Sequence, residues 1–316
     1  MNQITLNTIR NNVMQASAQW ISDFNQGNVQ TCINRYLPSA TMQVHPFGKF
    51  TSIEAIADFW LEFAKSNPSD LVYRNVDIKV LSEGQAILSA NWSMNIASGF
   101  ISKELWTRAE DGQWYLEEDD FSVLAQHTTS ASDKRTALVL VDLQNDYFSG
   151  VRFELDNTEL AAKKASQLLA HFRENEMPVI HIQHLFKEAN AAFFTANTVG
   201  AEIESSVKPT NNEPVIIKHQ IDSFIETTLE QTLVELAIDN LVIVGAMAQA
   251  CVQTICRSAV NKGYKCQVIS DAIAAPKLDY KQHTFTGEQL VAANLISLSF
   301  GGADIIEATE WLQKNS

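Results

Sequence analysis

The sequence has few cysteines, no long apolar run and no excess of basic residues. Its four cysteines, Cys32, Cys251, Cys256 and Cys266, are too few for a disulfide framework, and no two stand at Cys-x-x-Cys spacing. We therefore expect four reduced thiols. No stretch approaches the ~18 apolar residues that a membrane span needs, and residues 1–10 lack the apolar core of a secretory signal. These absences predict a cytoplasmic protein without a membrane partner.

Acidic residues outnumber basic ones, with Lys+Arg 23 against Asp+Glu 37 and a formal net charge of -14. Such a balance disfavours a nucleic-acid backbone as a partner and leaves a small molecule or a protein. Hydrophobic residues make up 46% and charged residues 19% of the chain, which excludes the disordered, collagen-like and coiled-coil classes. At about 150 residues per domain, a chain of 316 residues predicts two domains.

A polar segment rich in Ser and Thr divides two regions of different pattern. Residues 127–134 show no apolar periodicity, and no internal repeat crosses them. We predict a linker there, between a first domain at residues 1–126 and a second at residues 135–316.

The first domain has helical spacing followed by strand-like alternation. One helix face is predicted from Ile9, Val13, Ala16, Trp20 and Phe24. A second helix is predicted from a capping box formed by Thr51 and Glu54. Alternation over residues 86–94 and two runs on either side of Asp111-Gly112 then predict antiparallel strands. Helices followed by a meander of this kind predict an α+β domain.

This order, together with residues 36–45 between the helices and Trp114-Tyr115-Leu116 on a late strand, resembles the NTF2-like (SnoaL-like) cone-shaped domain over residues 1–125. The resemblance implies a sheet curled around a pocket and frequent pairing into oligomers. Its members include cyclases, isomerases, ligand carriers and dimerisation modules, so the fold does not fix a function. We interpret the acidic run Glu117–Asp120 as a solvated strand edge and Trp92 as a core residue, and assign no catalysis to this domain.

The second domain alternates strands and helices. It opens on the run Ala137–Val141, which is typical of a strand buried on both faces. Further apolar runs at residues 179–182, 215–217, 241–244 and 267–269 are separated by helical stretches. The alternation predicts an α/β fold of three layers, with a Rossmann-like parallel sheet between two layers of helices.

Three polar residues follow predicted strands of this sheet: Asp142, Lys218 and Cys251. Ligands of open α/β sheets bind at the carboxyl ends of the strands, so we expect the three to converge. A helix N-terminus and a nearby cation are expected to lower the pKa of Cys251, which makes it the candidate nucleophile. Asp142 would act as general acid and base, held in position by Lys218. Backbone N–H groups of residues 245–251 are candidate donors to an oxyanion.

The second domain is similar to the isochorismatase-like cysteine hydrolases over residues 135–312. The similarity rests on these motifs: residues 138–148 around Asp142, residues 215–218 with Asp222-Ser223-Phe224, residues 245–252, Thr254, Ala259, Gly263-Tyr264 and Asp271-Ala272. It implies that Asp142, Lys218 and Cys251 form a catalytic triad. It also implies a cis peptide between Ala246 and Met247, and an oxyanion hole made by the N–H groups of Met247 and Cys251.

Members of that family differ in chemistry. Those that resemble isochorismatase proper cleave a vinyl ether and lack the cysteine, whereas members with the cysteine cleave amides such as nicotinamide, carbamoyl-sarcosine or ureido compounds through a thioester. Cys251 therefore favours hydrolysis of a C–N bond in a small amide or ureide. Two alternatives stay open. One is ether hydrolysis, and the other is an inactive hydrolase scaffold beside a first domain that binds a ligand or dimerises.

Nicotinamidases also carry an Asp-x-His metal motif after the second strand, where this chain has His181-Ile182-Gln183-His184 without the Asp. No metal or other cofactor is expected, although the two histidines leave the metal question open. We predict that Phe148, His184 and Phe224 line the substrate pocket, and that Cys256 and Cys266 are packing residues. A small-molecule substrate and a homo-oligomer, a dimer or a tetramer, are the expected partners.

Overall fold

The structure is a computed structural model that describes residues 1–126, 135–150, 152–188 and 190–315. The chain divides into two compact units, one containing Met1–Ser130 and the other containing Ala131–Leu233 and Ile238–Ser316. The predicted linker, residues 127–134, lies outside the described residues. Within the described ranges, no helix has the length and apolar character needed to cross a membrane.

The first unit combines three helices with a six-stranded sheet. Its elements are α1 (Gln3–Asn25), α2 (Val29–Ile33), β1 (Tyr36–His45), β2 (Gly48–Phe50), α3 (Ile53–Ala64), β3 (Val72–Ser82), β4 (Gln85–Ser93), β5 (Ala97–Arg108) and β6 (Trp114–Gln126). The strand order is β2-β1-β6-β5-β4-β3. Strand β1 runs parallel to β6, and the other pairings are antiparallel.

Both predicted helices are present in the first unit. Helix α1 buries four of the five predicted positions, and Ala16 is half-buried. The predicted capping box of helix α3 is wrong, because Ser52 and not Thr51 is the N-cap. The extended backbone of Ser52 lets its hydroxyl accept a hydrogen bond from the N–H of Ala55 at 3.2 Å.

The interpretation of Glu117–Asp120 as a solvated strand edge is also wrong. Strand β6 lies between β1 and β5, so both of its edges are paired. Asp119 is 5% exposed and stands opposite Glu104 of β5, which is 3% exposed. Because successive side chains of a strand point to opposite faces, the neighbouring Glu118 is on the other face of β6. There it forms an ion pair with Lys103, with Nζ and Oε2 2.6 Å apart. The run therefore includes a carboxyl group inside the first unit.

The second unit is a parallel α/β sheet. Its elements are β7 (Thr136–Val141), α4 (Thr158–Glu174), β8 (Val179–His184), β9 (Val215–Lys218), α5 (Leu229–Glu235), β10 (Asn240–Ala246), α6 (Gln253–Asn261), β11 (Lys265–Ala274), a hairpin of β12 (Leu278–Tyr280) and β13 (His283–Phe285), α7 (Gly287–Phe300), β14 (Asp304–Ile306) and α8 (Ala308–Lys314). The order of the main sheet is β14-β11-β10-β7-β8-β9, and each pairing in it is parallel.

Alternate residues of β7 enter two different cores. Ala137, Val139 and Val141 pack in a cluster with residues of α5, α6 and α7, whereas Leu138 and Leu140 pack with residues of α4 and α8. Helices therefore cover both faces of the sheet, as the buried run at the start of the domain predicted.

The carboxyl ends of β10, β7, β8 and β9 lie side by side at one edge of this sheet. Strand β10 approaches β7 very closely there, because Gly245 has no side chain. A Cβ atom at this position would lie 2.0 Å from the carbonyl oxygen of Val141, and the φ angle of Gly245 is +121°. Glycine is the residue that permits both features. The close approach of β10 to β7 at Gly245 places the turn after β10 beside Asp142.

Candidate active site

Asp142 and Lys218 form a fully buried ion pair at this edge. Both side chains are 0% exposed, and Lys218 Nζ lies 3.0 Å from Asp142 Oδ2. The ammonium also donates a hydrogen bond to the carbonyl oxygen of Ile221 at 3.1 Å. Burial disfavours the charged ammonium, but attraction to Asp142 and Cys251 outweighs it and raises the pKa of Lys218. Lys218 is therefore a permanent cation at the carboxylate.

Cys251 lies in a turn of π-helix, Ala248–Val252, directly before α6. It is 3% exposed, and its Sγ lies within 4.8 Å of a carboxylate oxygen of Asp142 and of a ring nitrogen of His184. Burial and the charge of Asp142 raise the pKa of Cys251 to about 12, although Lys218 acts in the opposite direction. The prediction of a lowered pKa is wrong because burial and the adjacent carboxylate outweigh the cation. The thiol is protonated at neutral pH, beside a group that can take its proton.

His184 is the third side chain of this cluster. Its Nδ1 lies 4.0 Å from Asp142 Oδ2, and burial lowers its pKa to about 4, so the ring is neutral at physiological pH. Gln144 holds the end of β8, accepting from the backbone N–H of His184 at 2.8 Å and donating to its carbonyl at 2.9 Å. Among the described residues, none forms a hydrogen bond with His184 Nε2. His184 is therefore a neutral, buried ring beside the carboxylate and the thiol.

His181 does not join the cluster. It is 1% exposed, and its Nε2 lies 2.9 Å from Glu213 Oε2. Asp142, His184 and Cys251 do bring three possible metal ligands together. The donor set nevertheless fits a divalent cation poorly, since the ammonium of Lys218 already lies against the same carboxylate and the thiol holds its proton. We derive no step through a metal, and its absence stays a prediction.

Aromatic side chains lie beside His184, whose ring is 4.4 Å from that of Phe186 and 6.2 Å from that of Phe194. Tyr147, Phe148, Phe153, Phe186, Phe193, Phe194 and Met247 pack together, with the rings of Tyr147 and Phe194 4.5 Å apart. Burial and the charges of Asp142 and Cys251 raise the pKa of Tyr147, which places its phenol near both. Sequence reasoning missed Tyr147. The available signal was its position on the turn that follows Asp142.

The two predicted pocket phenylalanines lie in different cores. Phe148 belongs to the aromatic group around Met247. Phe224 packs with the cluster that contains Cys251, and its ring is 6.4 Å from that of Tyr264 and 5.4 Å from Lys262 Nζ. The roles of both in substrate binding stay predictions.

The turn between β10 and α6 has an irregular backbone. The peptide bond between Ala246 and Met247 is cis. The carbonyl oxygen of Met247 accepts hydrogen bonds from the N–H groups of Ala250 and Val252, at 3.0 and 3.2 Å. These bonds fix the start of the turn that presents Cys251. The part of the Met247 and Cys251 N–H groups in an oxyanion hole stays a prediction.

We expect His184→Gln to make the free energy of unfolding less sensitive to acid. The folded-state pKa of about 4 is below the ordinary 6.5, so the unfolded chain takes up this proton first as pH falls. The contribution of His184 is complete above about pH 6.5 and is lost toward pH 4, by about 2 kcal/mol after allowance for solvent screening. Urea unfolding of the unchanged chain and of His184→Gln, at neutral and at acid pH, measures this loss of stability. The exposed His283 provides the control His283→Gln, and equal acid sensitivity of the two variants would contradict the prediction.

Known proteins resemble the second unit. Residues 136–299 match the family model described as the Isochorismatase domain. The uncharacterized isochorismatase family protein YddQ of Bacillus subtilis (strain 168) is 42% identical over 164 residues, which cover 52% of this chain and 91% of that protein. Nicotinamidase 3 of Arabidopsis thaliana is 25% identical over 181 residues, covering 56% of this chain and 86% of that protein.

The fold is also similar to a solved structure. The crystal structure of a candidate isochorismatase hydrolase from Oleispira antarctica superposes with a TM-score of 0.56 and 40% identity, and covers 58% of this chain and 99% of that chain. The match spans about the length of the second unit.

Proposed function

The chain is a hydrolase of the isochorismatase family, and from this premise we propose that it cleaves the C–N bond of a small amide or ureide through a thioester on Cys251. One observation carries the proposal. A buried thiol lies within 4.8 Å of the carboxylate of Asp142, which Lys218 holds at 3.0 Å. Thiol, base and fixed cation are the parts of a nucleophilic mechanism.

The first half of the reaction begins with proton transfer from the Cys251 thiol to the carboxylate of Asp142. Because the pKa of Cys251 is about 12, the transfer accompanies attack on the substrate instead of preceding it. Sγ bonds to the carbonyl carbon, and the carbonyl electrons move to oxygen, where the N–H groups of Met247 and Cys251 would hold the negative charge. Asp142 then gives its proton to the nitrogen, the C–N bond breaks, and the acyl group stays on sulfur.

The second half returns the enzyme to its starting state. Asp142 takes a proton from water, the oxygen of that water attacks the thioester carbonyl, and the C–S bond breaks. The departing sulfur takes the proton back from Asp142, so every proton is accounted for. Lys218 keeps a positive charge throughout and holds the carboxylate in place. We expect the neutral ring of His184 to line the substrate pocket.

Ether hydrolysis is the competing chemistry. Protonation of a vinyl ether needs an acid but no thiol, and here the thiol lies against the acid. The likeness to Nicotinamidase 3 also supports the amide branch, although it leaves the substrate of this chain open.

A substrate screen tests the proposal. The full chain is incubated with a panel of small primary amides, ureides and N-carbamoyl compounds, and with isochorismate, and ammonia and pyruvate are measured. We expect ammonia release from at least one amide or ureide. Turnover of the vinyl ether alone, or of nothing in the panel, would contradict it.

For the first unit we propose the NTF2-like cone. Three helices, a six-stranded sheet and a cavity lined by residues of this unit support this assignment. An experimental structure of the full chain in which that sheet enclosed no cavity would contradict it.

A further inference from the structure

The first unit contains a cavity of its own, with a volume of about 650 Å³. Sites for small molecules usually measure about 300–1,000 Å³. Aromatic side chains dominate its walls: Trp20, Phe59, Trp60, Phe63, Trp92 and Phe121. The lining also includes exposed residues, Phe47, Glu62 and Ser66, at which a molecule can enter. The size and the walls suit a small, mainly apolar ligand.

Two buried carboxyl groups, Glu104 and Asp119, also line this cavity. Both oxygens of Glu104 are used, because the Tyr73 hydroxyl and the Trp106 indole each donate to one of them at 2.8 Å. In Asp119, by contrast, a single oxygen has a donor: Oδ2 accepts a hydrogen bond from the hydroxyl of Tyr36. None of the described residues donates to Asp119 Oδ1. One carboxylate oxygen is therefore free for a ligand.

The cavity has negative groups without a matching cation. No Lys, Arg or His is among the described residues that line it. Burial raises the pKa of Asp119 to about 7, with Asp120 adding to the effect, and burial and Asp119 raise that of Glu104 to about 8. At mildly alkaline pH both groups carry a charge that no side chain of the cavity balances. A buried charge of this kind is stabilised when a cation comes to it, and aromatic faces attract cations as well.

We propose that this cavity binds a small apolar amine, whose ammonium group donates a hydrogen bond to Asp119 Oδ1 while its hydrocarbon part lies against the aromatic walls. The indole of Trp92 offers a second contact. Its side chain lines the cavity and is 5% exposed, so the ring can lie against the hydrocarbon part of the ligand. The acidic lining disfavours carboxylates and phosphates.

Calorimetry on the full chain tests whether the cavity prefers an amine. The experiment is done at roughly pH 8.5, where both carboxyls ionise. It uses three probes of matched shape: naphthylethylamine, naphthylethanol and naphthylacetate. We expect the amine to bind at least about tenfold more tightly than the alcohol, and the acetate to bind most weakly, because a charged hydrogen bond replaces a neutral one. Asp119→Asn should remove the preference for the amine and leave the affinity for the alcohol unchanged. Asp120→Asn, at the next position on the opposite face of β6, should keep the preference for the amine, because Asp119 is still present.

Equal affinity for amine and alcohol, an amine preference that survives in Asp119→Asn, or no binding of any probe would each overturn the proposal. Dependence on Asp119 separates this cavity from amine binding at the hydrolase site. Should Asp119→Asn fail to fold, the alkylation rate of Cys251 by iodoacetamide locates the amine on the unchanged chain. An amine in this cavity leaves that rate unchanged, and an amine that slowed it would overturn the proposal.

Discussion

Replacement of Cys251 by alanine is expected to abolish turnover of any amide or ureide that the chain hydrolyses. Without the thiol no thioester forms, and losses of at least about 10⁴-fold in kcat are typical when a catalytic nucleophile is removed. The side chain loses a single sulfur atom at a site that is 3% exposed, so we expect a folded protein. Steady-state ammonia release and thermal unfolding measure the two effects.

Cys256→Ala is the matched control. Cys256 is a buried cysteine five residues further along, within α6, and we expect its replacement to leave turnover unchanged. Vinyl ether hydrolysis gives the opposite pattern, with activity that survives in Cys251→Ala and disappears in Asp142→Asn. Amide turnover by Cys251→Ala at the natural rate would exclude Cys251 as the nucleophile.

Asp142→Asn is expected to abolish turnover and at the same time to make Cys251 react faster with iodoacetamide. The carboxylate raises the pKa of the thiol, so its loss leaves the ammonium of Lys218 to stabilise the thiolate. Turnover falls by about 10³-fold or more, because the group that takes and returns the proton is gone. Activity and thiol reactivity therefore move in opposite directions.

Lys218→Met supplies the contrasting variant. Lys218 lowers the pKa of Cys251, so its removal should slow alkylation and also reduce turnover. Mass spectrometry of the Cys251 peptide across a pH series measures both alkylation rates. Alkylation that slowed in Asp142→Asn, or that changed in the same direction in both variants, would contradict the proposed electrostatics of the thiol.

The positions of the candidate site could be predicted from the sequence because they follow from topology. Each of Asp142, Lys218 and His184 ends or follows an apolar run, and parallel strands bring their carboxyl ends to one edge. The protonation state of the Cys251 thiol could not be predicted in this way. A sequence shows that a cation, a carboxylate and a thiol are present, but the pKa depends on burial and on distances of a few ångströms.

The burial of the carboxyl groups in the first unit could not be predicted from the sequence either. Four consecutive acidic residues are typical of a solvated strand, and nothing local indicates that β1 returns to pair with β6. That pairing joins residues about 80 positions apart, such as Tyr36 and Leu116, and it converts an apparent edge into the middle of a sheet. Asp119 is buried for this reason, and its place in the cavity depends on a contact that sequence pattern does not reveal.

The thioester on Cys251 is the central claim, and the mass of the intact protein tests it most directly. The chain is mixed with a substrate from the screen, quenched in acid within the first turnovers and analysed by mass spectrometry, beside Cys251→Ala treated identically. We predict a mass increase equal to the acyl part of the substrate, located on the Cys251 peptide and absent from the variant. Turnover with no adduct on Cys251 in the natural chain, together with undiminished turnover by Cys251→Ala, would contradict it.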